Sequence, residues 1–140
     1  MRFMNKVAVV TGSGQGIGRE IAAGLAREGA SVLIADWNLP NAEAVAAEIR
    51  AAGGTAAPCR VDISDPAQVE AMVAQTVEQF GRIDILVNNA GIGHAKAFLS
   101  ITLEEWNRVI SINLTGQFLC AQAVARAMLA TGGGRIVNVA

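Results

Sequence analysis

Short apolar runs alternate with segments of helical periodicity along the whole chain. Residues 6–11, 31–36 and 55–61 are predicted to be buried strands, and two further apolar runs cover 84–88 and 135–140. This alternation is typical of a parallel sheet whose strands are joined by crossover helices. Since such crossovers are right-handed, we predict a doubly wound α/β fold of five strands in the order 3-2-1-4-5, with helices on both faces.

The helices between these strands have recognisable ends. Residues 65–68 begin one with an N-cap acid, a Pro and a Gln at capping-box spacing, and Gly81 ends it. A second capping box, Thr102 to Glu105, opens a long helix that is predicted to reach about Ala130. The apolar stripes predicted for the first three helices are Ile17–Ile21–Leu25, Val45–Ile49 and Val69–Val73–Val77.

Length and composition predict one globular domain over residues 1–140, with 52% hydrophobic and 16% charged residues. A net charge of −1 offers no basic surface for nucleic acid or an anionic membrane. The N-terminus lacks the pattern of a signal peptide, so we expect a soluble, cytoplasmic protein. Cys59 and Cys120 lack metal-ligand spacing, and they are either reduced core residues or a disulfide. We predict no metal site.

A glycine-rich turn follows the first predicted strand and leads into the first helix. Gly12, Gly14, Gly16 and Gly18 lie in or beside this turn. Without side chains, backbone N–H groups can approach a pyrophosphate at the positive end of the helix. The alternative is that the glycines only allow a tight connection. The order of strand, turn and helix favours the ligand.

An acidic residue stands at the end of the second strand. Asp36 follows the glycines by about 20 residues, where an acid accepts hydrogen bonds from the ribose of a bound dinucleotide. The same charge disfavours a 2′-phosphate and therefore predicts NAD. The alternative is that Asp36 only begins the turn of residues 37–40. Trp37 comes next in the chain, and we expect it near the adenosine site.

The turn, residues 11–18, resembles the Thr-Gly-x-x-x-Gly-x-Gly fingerprint of the short-chain dehydrogenase/reductase family, and Asn88-Asn89-Ala90-Gly91 is similar to its Asn-Asn-Ala-Gly motif. The resemblance implies a Rossmann-type fold, with Asp62 in contact with adenine. It also implies that Asn88–Gly91 lines the cofactor cleft and stabilises the sheet. With Asp36 and Trp37 included, the predicted cofactor-binding residues are Gly12, Ser13, Gln15, Gly16, Ile17, Gly18, Asp36, Trp37, Asp62, Ile63, Asn89, Ala90 and Gly91.

The resemblance also implies a catalytic role for Asn113, which matches the family Asn that bends a helix and holds a water in the proton relay. Asn113 and Gly116 both have poor helix propensity and predict a disturbed helix, although a solvated or capping Asn is the alternative. Ile17 either shapes the nicotinamide pocket or is a core residue. His94 lies in a loop and is expected to be merely exposed.

The family's catalytic Ser and its Tyr-x-x-x-Lys motif have no counterpart in residues 1–140, which contain no tyrosine. We therefore expect the cofactor-binding part of an oxidoreductase that transfers hydride between NAD and a carbonyl or secondary alcohol, inactive by itself. Exposed apolar surface on the last strand and long helix predicts a homo-oligomer. The alternatives are a non-catalytic, self-associating module or a methyltransferase-type domain, and the latter does not explain residues 88–91.

Overall fold

The computed structural model describes all residues, Met1–Ala140. Strands and helices alternate as the sequence pattern predicts, with strand ends within about two residues of those expected. The first three strands and their helices are β1 Val7–Thr11, α1 Gly16–Arg27, β2 Ser31–Asp36, α2 Leu39–Ala51, β3 Thr55–Arg60 and α3 Pro66–Phe80. The remaining elements are β4 Ile85–Asn88, a 3₁₀ turn Phe98–Ser100, α4 Leu103–Ile110, a π-helical turn Ser111–Gly116, α5 Gln117–Leu129 and β5 Arg135–Asn138.

The five strands form one parallel sheet in the order β3-β2-β1-β4-β5, which confirms the predicted topology. β1 lies at the centre and pairs with both β2 and β4. Successive crossovers run outward from β1 in two directions, so loops diverge at the carboxyl ends of β1 and β4. This divergence opens a crevice where such sheets bind ligands.

Two hydrophobic clusters cover the two faces of the sheet. Ala8 and Val10 of β1 face the cluster that includes apolar residues of α1 and α2. Val9, between them, faces the cluster that includes residues of α3 and α5. The alternation of side chains along a strand places neighbours on opposite faces, and burial on both faces explains why the strand is uniformly apolar.

The buried faces of two helices differ from the predicted stripes. In α1 the buried residues are Gly18, Ala22 and Ala26, whereas the Ile17 side chain is 69% exposed. Small residues let the helix backbone approach the sheet closely, so the contact face lies one position beyond the stripe of larger residues. In α3, Val69 and Val73 are buried as predicted, but Val77 is 40% exposed, and Met72 and Thr76 complete the buried face.

The N-termini of α3 and α4 are capped differently. Thr102 and Glu105 form the predicted capping box. At α3 the Asp65 side chain accepts from the Ala67 N–H, but the Gln68 side chain binds the Asp65 carboxylate and the Asp62 N–H instead of the Asp65 N–H. The predicted box at α3 is therefore wrong. Asp65 accepts the N–H of the second helical residue instead of the third, and the Asp65 N–H donates to the Asp62 carbonyl, which leaves Gln68 to bind the Asp62 N–H.

The predicted single long helix is interrupted. α4 and α5 are joined by the π-helical turn Ser111–Gly116, which contains both Asn113 and Gly116. A Cβ added at Gly116 would lie 2.7 Å from the Ile63 side chain, so the turn packs closely on the loop after β3. The expectation of a disturbed helix is confirmed. None of the helices combines the length and apolar character needed to cross a bilayer.

Candidate functional site

A cleft of about 670 Å³ opens where β1, β2 and β4 end. Pockets that bind small molecules have volumes of about 300–1,000 Å³, and parallel sheets bind ligands at this edge. The lining residues come from the glycine-rich turn, the ends of β2 and β3, the segment after β4, and the helix that follows. They are Gly12, Gln15, Gly16, Ile17, Ala35, Asp36, Trp37, Asn38, Asn41, Val61, Asp62, Ile63, Asn89, Ala90, Gly91, Ile92, Arg108 and Ile112.

Most of the predicted cofactor-binding residues meet in this cleft, and two of them lie just outside it. Ser13 is fully buried and its hydroxyl donates to the Val10 carbonyl at 2.6 Å. Gly18 is also buried. Ser13 and Gly18 therefore support the turn from the side that faces away from the cleft. Asn113, the predicted catalytic residue, lies beside the cleft in the π-helical turn.

The glycine-rich turn and the segment after β4 are fastened to each other. The Asn89 side chain donates to the carbonyls of Thr11 and Gly12, both at 3.2 Å. In the opposite direction, the Thr11 hydroxyl accepts from the N–H groups of Asn89 and Ala90. Gly12 has φ +64°, and a Cβ there would lie 2.8 Å from the Ala90 Cα. The two sequence motifs therefore form one structural unit.

The glycines of the turn face different surroundings. A Cβ at Gly18 would lie 2.5 Å from Nδ2 of Asn89, and one at Gly14 would lie 2.8 Å from a carboxylate oxygen of Asp36. Gly16 differs because it lines the cleft with φ +56°, and an added Cβ would meet no protein atom within 4 Å. The bare backbone at Gly16, at the N-terminus of α1, is thus open to a ligand. This geometry fits a phosphate group, which binds backbone N–H groups at a helix N-terminus.

Asp36 is a nearly buried carboxylate at the edge of the cleft, with 8% of its surface exposed. Its Oδ2 accepts the Gly14 N–H at 2.9 Å, and its Oδ1 accepts the Asn38 N–H at 3.0 Å. These bonds tie the end of β2 to the glycine-rich turn. Each carboxylate oxygen has further capacity to accept a hydrogen bond, so the fixed charge can also bind ligand hydroxyl groups.

Asp62 is the second carboxylate of the cleft. Its Oδ1 accepts from the hydroxyl and the backbone N–H of Ser64, at 2.6 and 3.0 Å. The Ser64 hydroxyl bond is the main cause that lowers the pKa of Asp62, and the Ser64 N–H and the charges of Arg108 and Arg60 lower it further. Asp62 is therefore a carboxylate, not a carboxylic acid, at neutral pH.

Asn113 holds the loop that follows the Asn-Asn-Ala-Gly segment. Its Oδ1 accepts the Ile92 N–H and its Nδ2 donates to the Ile92 carbonyl, each at 2.8 Å. The carboxamide thus pairs with one residue of the loop as a neighbouring strand would. Gly91 lies directly against this carboxamide, since a Cβ there would be in van der Waals contact with the Asn113 Oδ1 at 3.4 Å.

Asn88 ties three elements together below the cleft. Its Nδ2 donates to the Asn138 Oδ1 of β5 at 2.9 Å and to the Gln117 carbonyl at the start of α5 at 3.3 Å. Gln117 in turn donates from its side chain to the Val139 carbonyl. The end of β4 is therefore joined to β5 and to the start of α5.

Sequence reasoning missed several lining residues. Asn38 and Asn41 line the cleft, and the Asn38 Oδ1 accepts the Asn41 N–H as the N-cap of α2. An Asn two positions before a Pro in the first turn of a helix is a signal that the sequence offered. Arg108 gave no such signal. It lies 46 positions after Asp62 in the sequence, and only the position of α4 in the fold brings the two side chains together.

A parallel sheet in this order, with a glycine-rich turn and an acid at its carboxyl edge, defines a Rossmann-type domain of the dinucleotide-binding class. A sequence model described as short chain dehydrogenase matches residues 6–140. The chain belongs to this family of oxidoreductases.

Curated relatives match the chain over its whole length. Sorbitol dehydrogenase of Cereibacter sphaeroides is 46% identical over 141 residues, and D-threitol dehydrogenase of Mycolicibacterium smegmatis is 42% identical over 139 residues. These alignments cover 100% and 99% of the chain but 54% of each relative. The chain therefore spans about half the length of the relatives it matches.

Solved structures show the same fold. A short-chain type dehydrogenase/reductase from Mycobacterium marinum superposes with a TM-score of 0.94 at 43% identity, over 97% of this chain and 56% of that one. A 7α-hydroxysteroid dehydrogenase complexed with NADH and 7-oxo glycochenodeoxycholic acid superposes with a TM-score of 0.93 at 39% identity, over 99% of this chain and 54% of that one. The second likeness, to a structure that holds NADH, supports a nicotinamide cofactor in this family.

Proposed function

We propose that the chain is the NAD(H)-binding part of an oxidoreductase that transfers hydride between NAD and a carbonyl or secondary alcohol. The observation that carries this proposal is the Asp36 carboxylate, fixed at the end of β2 and open to the cleft. The names of the relatives, sorbitol dehydrogenase and D-threitol dehydrogenase, support an alcohol as the substrate class. A cytoplasmic location stays a prediction.

The Asp36 charge favours NAD over NADP. One charge pair at 4 Å and an effective dielectric constant of about 20 is worth about 4 kcal/mol, as an upper figure. Half of that repulsion between Asp36 and a 2′-phosphate would favour NAD by more than about tenfold. The lining residues include one cation, Arg108, and it already faces Asp62.

The residues of the chain would divide the work of binding. The backbone of residues 12–16 would hold the pyrophosphate, Asp36 the adenosine ribose and Asp62 the adenine. Ile17 and the segment 89–91 would line the cleft toward the nicotinamide. When bound, the cofactor supplies or accepts the hydride.

Asn113 would act at the substrate side of the cleft. Since its side chain is occupied by Ile92, a proton relay would use the backbone near it. The chain contains no tyrosine to serve as the proton donor of the family. We therefore expect this chain alone to bind NAD without turning it over.

The test is a titration with NADH and with NADPH, followed by tryptophan fluorescence. The chain has two tryptophans, and Trp37 lines the cleft whereas Trp106 does not. We expect saturable quenching by NADH, weaker quenching by NADPH, and loss of the signal in Trp37→Phe but not in Trp106→Phe. Tighter binding of NADPH than of NADH would contradict the assignment of NAD.

A matched pair of variants isolates the charge of Asp36. Asp36→Asn should lower the ratio of the NADH affinity to the NADPH affinity by about tenfold, because it removes the repulsion toward a 2′-phosphate. Glu43→Gln makes the same charge change on α2, outside the lining residues, and should leave the preference unchanged. Equal effects of the two variants would show that only net charge matters.

A second candidate is a non-catalytic, self-associating module, favoured by exposed apolar side chains on the elements that follow β4. Phe98, Trp106 and Phe118 are 82%, 55% and 58% exposed, and Val137 of β5 is 51% exposed. Such surface commonly marks an interface between protein chains. Light scattering should show oligomers at micromolar concentration, and a monomer there would count against self-association. Oligomers that do not bind NADH would favour this candidate over the first.

A further inference from the structure

One end of the cleft is polar. Where β2 and β3 finish, it is lined by the carboxylates of Asp36 and Asp62, and the Arg108 Nη1 lies 3.9 Å from the Asp62 Oδ2. The side chains of Asn38 and Asn41 line the cleft near Asp36. We call this region the adenosine end, because the proposed NAD(H) binding places the adenosine there. Its carboxylate and amide groups can form further hydrogen bonds with a ligand.

The opposite end of the cleft is apolar. It is formed by the start of α1, the segment after β4 and the π-helical turn, and it is the nicotinamide end of the proposed complex. The hydrophobic side chains that line it belong to Ile17, Ala90, Ile92 and Ile112. Ile17 and Ile92 are 69% and 42% exposed. A ring bound here would therefore contact apolar side chains that leave it partly open to solvent.

The hydrogen-bond donors that line the nicotinamide end are already used within the chain. Asn89 has the one polar side chain of this end, and its Nδ2 donates to the carbonyls of Thr11 and Gly12. The N–H groups of Asn89 and Ala90 donate to the Thr11 hydroxyl. The N–H of Ile92 donates to the π-helical turn. The carboxamide oxygen of a nicotinamide therefore finds no free side-chain donor among these lining residues.

The charges of the cleft also lie away from the nicotinamide end. Asp36, Asp62 and Arg108 are the charged lining residues, and all three are at the adenosine end. The nicotinamide ring is positively charged in NAD⁺ and neutral in NADH. Since no charged side chain lines the end that would hold the ring, the oxidised and reduced forms would meet the same surroundings.

We propose that residues 1–140 form a binding module for ADP-ribosyl compounds in general. This inference rests on the proposed NAD(H) binding. The module recognises the adenosine and the two phosphates and does not discriminate between the groups that the second ribose carries. ADP-ribose has every group that the adenosine end and the glycine-rich turn would hold, and it lacks only the nicotinamide. It should therefore bind as tightly as the whole dinucleotide.

The first experiment is calorimetric titration of the chain with four ligands, which are NADH, NAD⁺, ADP-ribose and reduced nicotinamide mononucleotide. The Kd values of the first three should agree within about threefold. The mononucleotide should bind at least about a hundredfold more weakly than NADH, because it lacks the adenosine and one phosphate. An ADP-ribose affinity more than about tenfold below that of NADH would overturn the inference, since it would show that the nicotinamide contributes a specific contact.

The second experiment asks whether both ligands depend on the same groups. Asp36→Asn and Gly16→Ala should each weaken NADH and ADP-ribose by an equal factor, of about tenfold. Glu43→Gln repeats the charge change of Asp36→Asn on α2, outside the lining residues, and should change neither affinity. Circular dichroism of each variant checks its fold. Weakening of NADH alone would overturn the inference, because ADP-ribose would then bind elsewhere.

The outcomes separate this inference from the proposed function. If the chain does not bind NADH, both are overturned. If NADH binds but ADP-ribose binds more than about tenfold more weakly, only the inference fails. It also fails alone if NADH and NAD⁺ differ by more than about tenfold, because the chain would then sense the charge of the ring.

Discussion

β1 and β5 both pair in parallel with strands of the same sheet, yet their surroundings are opposite. All five residues of β1 are buried, whereas all four residues of β5 are exposed. β5 is in register with β4, with Ile136 beside Leu86. Backbone pairing therefore aligns a strand, but packing of helices on both faces of the sheet is what buries its side chains. The central strands have that cover and β5 does not.

The contrast extends to how each region is held. Around β1 the contacts are apolar packing and close backbone approach, as between Gly12 and Ala90. On the side of α4 and β5 they are mainly individual polar contacts, such as the Asn113–Ile92 pair and the capping box of α4. Substitutions in the two regions should differ in size accordingly.

Leu86→Ala and Ile136→Ala test the contrast between two neighbours in adjacent strands. Leu86 is fully buried and its truncation should lower the free energy of unfolding by about 2–5 kcal/mol. Ile136 is 38% exposed, and its truncation should cost about 1 kcal/mol or less. Urea denaturation measures both. Equal losses would mean that β5 is covered in solution, for instance by another copy of the chain.

Gly12→Ala and Gly16→Ala separate packing from ligand binding within the turn. Gly12→Ala adds a clash with Ala90 to the strain of a positive φ and should cost about 3 kcal/mol of stability. Gly16→Ala adds only the strain, about 1 kcal/mol. It should nevertheless weaken NADH binding by at least about tenfold, because its methyl group occupies the open side of the turn. Undiminished binding by Gly16→Ala would remove the proposed phosphate site.

Asn113→Ala tests the polar contacts beside the π-helical turn. Loss of two hydrogen bonds to Ile92 should cost about 1–2 kcal/mol of stability. Hydrogen exchange of the Ile92 amide should also become faster. Asn107→Ala, on exposed α4 with no side-chain hydrogen bond, is the control and should change neither quantity. An unchanged Ile92 exchange rate would show that the loop is held by other contacts.

Glu105→Gln should have the smallest effect, a small loss of stability at neutral pH that disappears at low pH. Lys96 and the Thr102 N–H lower the pKa of Glu105 from 4.5 to about 2. Because the folded-state pKa is lowered, this stabilisation is present above pH 4.5 and is lost as the pH falls through about 2. Urea midpoints of Glu105→Gln should fall less over that range than those of the unmodified chain. Glu104→Gln, whose side chain forms no such contacts, should follow the unmodified chain, and identical profiles for all three would remove the ion pair as a cause.

Much of the fold could be predicted because its signals are local. Turn glycines, capping residues and apolar runs act within a few positions, so element order and ends were predictable. The buried face of α1 was not predictable in this way. Gly18, Ala22 and Ala26 are buried because small residues let the helix lie close to the sheet, not because they are the most hydrophobic. Val77 fits a helical stripe equally well, yet it is 40% exposed and its neighbour Thr76 takes the buried position.

In the candidate site, too, local features could be predicted from the sequence and contacts between distant residues could not. The glycine-rich turn, Asp36 and the Asn-Asn-Ala-Gly segment were visible in the sequence, because backbone conformation and charge are properties of the residues themselves. Only the tertiary structure brought Asn89 onto Thr11, Asn113 onto Ile92 and Arg108 toward Asp62. These pairs join distant parts of the chain, and their geometry depends on the sheet order and on the π-helical turn. The sequence by itself thus determined which groups are available, and packing decided which of them meet.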